Sequence, residues 1–186
     1  MTKTRLQVLL CGGDRRSIGK ANAVVAAVLA DQVLFSDVID GLFSSDRLVR
    51  MRCADVAEKA SRVHPDCLKT FETKLLSLAR TSPEQEVRWH LAQMLPRLAL
   101  NKSQRRSAIG ILRRHLKDES RIVQVSALQG LAEFADKDAE LQEEFRELCN
   151  ELLTSESAAV RARARKLVAR AKSRKLATKV KRRRSS

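Results

Sequence analysis

Val87-Arg88-Trp89-His90-Leu91-Ala92-Gln93-Met94-Leu95-Pro96-Arg97-Leu98 is the stretch whose reading decides the fold. Its apolar residues, Val87, Leu91, Ala92, Met94, Leu95 and Leu98, recur at helical and not at strand spacing. The pattern then returns along the chain. A valine opens it at Val49, Val87, Val123 and Val160, at separations of 38, 36 and 37 residues. Four residues on stand Cys53, Leu91, Ala127 and Ala164; eight on stand Ala57, Leu95, Leu131 and Val168; eleven on stand Ala60, Leu98, Phe134 and Ala171. Aligned columns of small and apolar residues at one period mark a repeat protein.

Working outward, each of these helices has a partner before it. The spacing predicts pairs over about 32–43 with 46–62, 66–80 with 83–99, 103–117 with 119–135, and 138–153 with 156–172. Ser44, Ser45 or Asp46 suits the cap of one second helix, and Ser82-Pro83-Glu84 gives another a cap, a first-turn proline and an acid. Linkers of a few residues make the helices of a pair antiparallel neighbours. A hairpin cannot bury both of its apolar faces alone, so successive pairs stack. The expected fold is therefore all-α: a right-handed α-α superhelix of about four helix pairs over residues 17–172. An Ala- and Val-rich cap helix, about 20–30, precedes them, with Ser17 as its candidate cap. Residues 1–16 form a poorly defined lead-in, with Thr4 to Leu10 either extended or a frayed turn. Pro96 is expected to bend its helix.

The bulk numbers agree. Apolar content of 44% and charged content of 32% fit a folded chain, and no apolar run reaches the length of a spanning helix. An intracellular, cytoplasmic protein is expected, or a nuclear one in a eukaryote. Cys11, Cys53, Cys67 and Cys149 show neither paired spacing nor histidines at metal-ligand intervals, so no metal or cofactor is expected and the thiols read as small hydrophobes.

Helix pairs of this length, with Val49-Arg50, Val87-Arg88 and Val160-Arg161 opening the second helix, resemble HEAT repeats; Val123-Gln124 departs from the motif. The segment from Gly12 to Leu98 is also similar to small bacterial HEAT-repeat proteins. The resemblance implies a solenoid scaffold that holds a macromolecular partner along a concave groove lined by the second helices.

Two surfaces compete for function. The third, sixth and tenth residues after each valine are expected to face the groove: Arg52, Asp55 and Lys59; His90, Gln93 and Arg97; Ser126, Gln129 and Glu133; Arg163, Lys166 and Arg170. This row suits an acidic peptide, a protein or a nucleic-acid backbone, or reads as an ordinary solvated face. Arg50, Arg88 and Arg161 are read as a structural ladder that ties repeats together through neighbouring acids or helix-end carbonyls. The second surface is the C-terminus. Although the net charge is +15, residues 1–156 hold 24 of the 37 basic side chains against all 22 acidic ones. The remaining 13 lie after Ser157 with no acid among them. Residues 173–186 read as a basic, disordered tail; with Lys172, its Arg174, Lys175, Lys179, Lys181, Arg182, Arg183 and Arg184 offer salt-dependent binding of RNA, DNA or an anionic membrane, or read as a nuclear-import signal or a solubilising cap. Gly12-Gly13 beside Arg15 and Arg16 is a weak phosphate-cradle candidate. It lacks the remaining residues of a P-loop. No catalytic residue stands out. The remote enzyme reading is a HEAT-like glycosylase for alkylated DNA bases, with Asp55 as its carboxylate.

Overall fold

The computed structural model describes residues 4–14 and 17–184, with side chains as far as Ala171 and at Ser173. Among the described residues there are ten α-helices and no strand. The chain divides into two compact units, residues 1–111 and 112–186. The first holds α1 (Arg5–Leu9), α2 (Ala21–Ala30), α3 (Phe35–Gly41), α4 (Arg47–Val63), α5 (Glu72–Thr81) and α6 (Gln85–Met94). Helix α7 (Lys102–His115) carries the chain into the second, which holds α8 (Arg121–Ala135), α9 (Ala139–Leu152) and α10 (Ala158–Arg184). None of the described helices is long and apolar enough to cross a membrane.

Packing follows the repeat. In the first unit α4 lies against α3, its hairpin partner, and against α2 and α6, the second helices on either side. In the second unit α8, α9 and α10 pack on one another. The valine columns form the core: Val49, Cys53, Val56, Ala57 and Ala60 of α4 are buried, as are Val87, Leu91, Met94 and Leu95 around α6. Leu128, Ala132, Cys149, Val160, Ala164 and Leu167 make the core of the second unit. Asp46 starts α4 by accepting from Leu48 N at 3.0 Å, and Asp138 starts α9 by accepting from Glu140 N at 3.1 Å.

Four local expectations are corrected. Thr4 to Leu10 is neither extended nor frayed, because Thr4 and Gln7 form a reciprocal capping box that starts α1. Ser17 caps nothing; its hydroxyl accepts from Gly19 N in a turn, and α2 begins at Ala21 without a side-chain cap. Pro96 ends a helix where a bend was expected. Lacking the N–H that would bond to Ala92, it leaves α6 to stop at Met94, and a 3-10 turn, Leu95–Arg97, follows. The backbone beyond residue 172 is helical to Arg184. Lys, Arg, Ala and Leu are good helix formers, and extending a packed helix needs no new nucleus.

Where α3 crosses α4, Gly41 allows the backbones to close. A Cβ there would fall inside the contact radius of Cys53 Sγ. Gly41→Ala should therefore lower stability by about 1–3 kcal/mol through overpacking. Adding Cys53→Ala, which removes the sulfur, should recover part of that loss in urea titrations; a double mutant no better than the single one would place the fault elsewhere.

Candidate functional site

The residue after each motif valine does one job four times. Arg50 donates to the Ser44 carbonyl at 2.6 Å, Arg88 to the Ser82 carbonyl at 3.1 Å and Arg161 to the Ser155 carbonyl. Gln124 donates to the Asp118 carbonyl at 2.6 Å. In every case the acceptor lies six residues earlier, in the loop that turns the first helix into the second. These side chains clamp their own hairpin. Arg50 also reaches the next repeat, where it pairs with Glu84. Burial pushes the Glu84 carboxyl up, but its hydrogen bond and ion pair with Arg50 outweigh burial and hold it below the usual range. Gln124, which breaks the charge pattern, keeps the geometry.

Arg52 was expected on a solvated groove face and is instead 2% exposed. Its guanidinium donates to the carbonyls of Leu10 at 2.8 Å, Gly12 at 2.6 Å, Asp14 at 3.1 Å and Ser17 at 3.1 Å. The described residues between α1 and α2 are wound around it. That winding requires left-handed backbone at Gly12, Gly13 and Gly19, with φ of 69°, 80° and 54°. At Gly19 a side chain would also crowd the guanidinium, since its Cβ would lie 3.1 Å from Arg52 Cζ. The Gly-Gly turn thus presents carbonyls to an arginine, the opposite polarity from a phosphate cradle. Arg15 and Arg16 of that candidate lie outside the described residues.

His90 and Ser126 occupy the same register position and are also buried, at 5% and 6% exposure. The physical reason is common to all three. The third residue after the valine lies only about 60° from it around the helix, and α4, flanked by α2 and α6, buries the wider arc that takes in Arg52. His90 stacks on Trp89 with ring centroids 4.1 Å apart, and its Nδ1 has no hydrogen-bond partner. Burial pushes its pKa down to about 4, against the pull of Asp55 and Glu58, while the like charges of Lys59 and Arg62 push the same way as burial.

Lower on the same row, Arg97 turns inward to a residue the sequence did not single out. Its guanidinium binds the Glu58 carboxylate at 2.7 Å, the Glu58 carbonyl at 3.0 Å and Ser61 Oγ at 3.0 Å. Arg62 holds the other Glu58 oxygen at 2.6 Å. Burial raises the Glu58 carboxyl, but hydrogen bonds from Arg97 and Arg62 and their charges outweigh it and keep it below its ordinary value. A buried acid four residues before one arginine was the available signal, and it was missed because Glu58 falls between the columns. Lys59 binds Asp55 at 2.7 Å and Asn22 at 3.0 Å. Gln93, half-buried, bonds to the Trp89 carbonyl.

In the second unit Gln129 accepts from Arg163 at 3.3 Å and donates to Glu133 at 3.1 Å. Arg170 pairs with Asp136 at 2.8 Å. Arg165 and Lys166 are exposed on α10. The side chains of Lys172, Arg174, Lys175, Lys179, Lys181, Arg182, Arg183 and Arg184 lie outside the described ones, while the backbone that carries them belongs to α10.

No disulfide joins the cysteines. Burial raises the Cys53 thiol to about 12 and the Cys149 thiol to about 11, values at which neither is a nucleophile at neutral pH. Among the described residues no group of three His, Cys, Asp or Glu side chains is assembled for a metal.

No protein-family model matches the chain, and no curated protein matches it. Among solved structures it is similar to an engineered protein determined by the Northeast Structural Genomics Consortium, with 19% identity and a TM-score of 0.60. The match covers 90% of this chain and 78% of that one. A likeness at that identity concerns the fold alone.

Proposed function

We propose that this chain is a non-enzymatic, HEAT-like helical-repeat protein that binds nucleic acid through its phosphate backbone, with α10 as the binding element. One observation carries the reading. Helix α10 is a single element of 27 residues, and its sequence holds 13 lysines and arginines and no acid. Like charges along one helix repel, and a polyanion that releases condensed counterions relieves them. The adaptor reading would seat a protein along the second-helix row. It has less support, because Arg52, Lys59, Arg97, Arg163 and Arg170 are already bonded within the chain. Asp55, the carboxylate of the glycosylase reading, is engaged by Lys59.

The test is fluorescence anisotropy with labelled oligonucleotides at low salt. The full chain is compared with a variant carrying glutamine at Lys172, Arg174, Lys175, Lys179, Lys181, Arg182, Arg183 and Arg184. Affinity should fall at least ~100-fold in the variant, since each neutralised phosphate contributes to the salt-dependent term. Equal binding by the two proteins would return the function to the second-helix row. Tighter binding to phosphatidylserine vesicles than to any oligonucleotide would make the partner a membrane surface.

A further inference from the structure

We infer that the nucleic acid α10 accepts is B-form duplex DNA, held with the helix in the major groove and with little sequence preference. This rests on the reading of α10 as the binding element and adds the substrate class. Three observations lead there. The first is that the basic segment is helical to Arg184. It is therefore a rod about 10–12 Å across with its side chains, close to the ~12 Å width of the DNA major groove. The corresponding groove of duplex RNA is deep and narrow and does not admit a helix.

The second is where the helix places its cations. At about 100° per residue, positions 172, 175, 179 and 183 fall along one side of α10. Positions 174, 181 and 184 fall along the other, about 180° away. All seven are Lys or Arg. Two opposed basic rows match two phosphate walls on either side of a groove, whereas a flat anionic surface engages one row. Residues 172–184 extend over about 20 Å, or some six base pairs.

The third is the absence of stacking residues. From Ser157 to the end there is no Phe, Tyr or Trp. Single strands are gripped chiefly by bases stacked on aromatic rings, so α10 lacks the means to favour them. It also has no Asn or Gln over that stretch, so the bidentate reading of adenine is missing. Affinity comes from the backbone, which is why sequence preference is low.

The experiment uses the full chain against duplex DNA, duplex RNA and single-stranded DNA of one sequence. A fourth probe is duplex DNA whose cytosines are 5-hydroxymethylated and glucosylated, which fills the major groove and leaves the phosphates unchanged. Plain duplex DNA should bind at least ~10-fold more tightly than each of the other three. The slope of log K against log salt should approach about −7 for eight neutralised phosphates. Duplex RNA or the glucosylated duplex binding as tightly as plain DNA would overturn the groove assignment, and so would a preference for the single strand. If the eightfold glutamine variant loses all of these affinities together while the four probes bind the parent alike, the nucleic-acid reading stands and the DNA inference falls. If no probe binds the parent, both fall.

Discussion

Arg52→Ala is expected to lower the stability of the first unit by about 3–5 kcal/mol, because one truncation strips several buried carbonyls of their shared donor. The guanidinium is the common partner of the Leu10, Gly12, Asp14 and Ser17 carbonyls. Each buried carbonyl left without a donor costs about 1–3 kcal/mol. The segment will open to water before all four penalties accumulate, which sets the upper end. Arg52→Lys should restore less than half of the loss, because one ammonium cannot span acceptors reached by three nitrogens of a planar fork. Urea titration measures the stability, and amide hydrogen exchange over residues 6–19 shows whether the segment has opened. An alanine variant with an unchanged urea midpoint and unchanged exchange there would refute the keystone role.

The second large effect is acid sensitivity centred on His90. With a folded-state pKa of about 4 against an ordinary 6.5, the unfolded chain binds a proton between those values that the folded chain refuses. Stability from this group is complete above pH 6.5 and is lost as the pH falls towards 4. The loss amounts to about 3 kcal/mol by linkage. Glu58 acts in the same direction further down. Its depressed carboxyl contributes stability above the unfolded value and loses it as the pH falls through the folded one. His90→Phe keeps a ring against Trp89 and removes the titration, so it should flatten the upper part of the curve and leave the Glu58 part. Trp89 is the single tryptophan, and its fluorescence in urea series from pH 7 to 4 reads both proteins. Parallel curves between pH 6.5 and 4.5 would rule His90 out.

Much of the fold is legible because one rule repeats. The columns at Val49, Val87, Val123 and Val160 place α4, α6, α8 and α10, and the residues beside them mark the clamps. The row assigned to the groove was less legible. A helix wheel drawn for one hairpin leaves Arg52 and His90 at the edge of the apolar arc. The neighbours that cover them are other helices and, for Arg52, a loop some 35–42 residues away in sequence. The three glycines at 12, 13 and 19 were the local sign of a constrained segment, but they carried no indication of what it surrounds. Helix α10 was underestimated for a different reason. Residues beyond 172 have too few apolar side chains to pack, and packing was weighed above the intrinsic helix preference of Lys, Arg and Ala.

The clamp in each hairpin joins a side chain to a carbonyl six residues before it, so the closure of each of these four loops is written within seven consecutive residues. A duplicated or deleted stretch of one period carries its own closure with it and leaves the other loops intact. Folding gains the same independence. Contacts this short-range close quickly and at small entropic cost, so any hairpin can form first and offer its face to the next. Gln124 shows how little the bond asks of heredity: one donor, at one position, of either charge type that can reach.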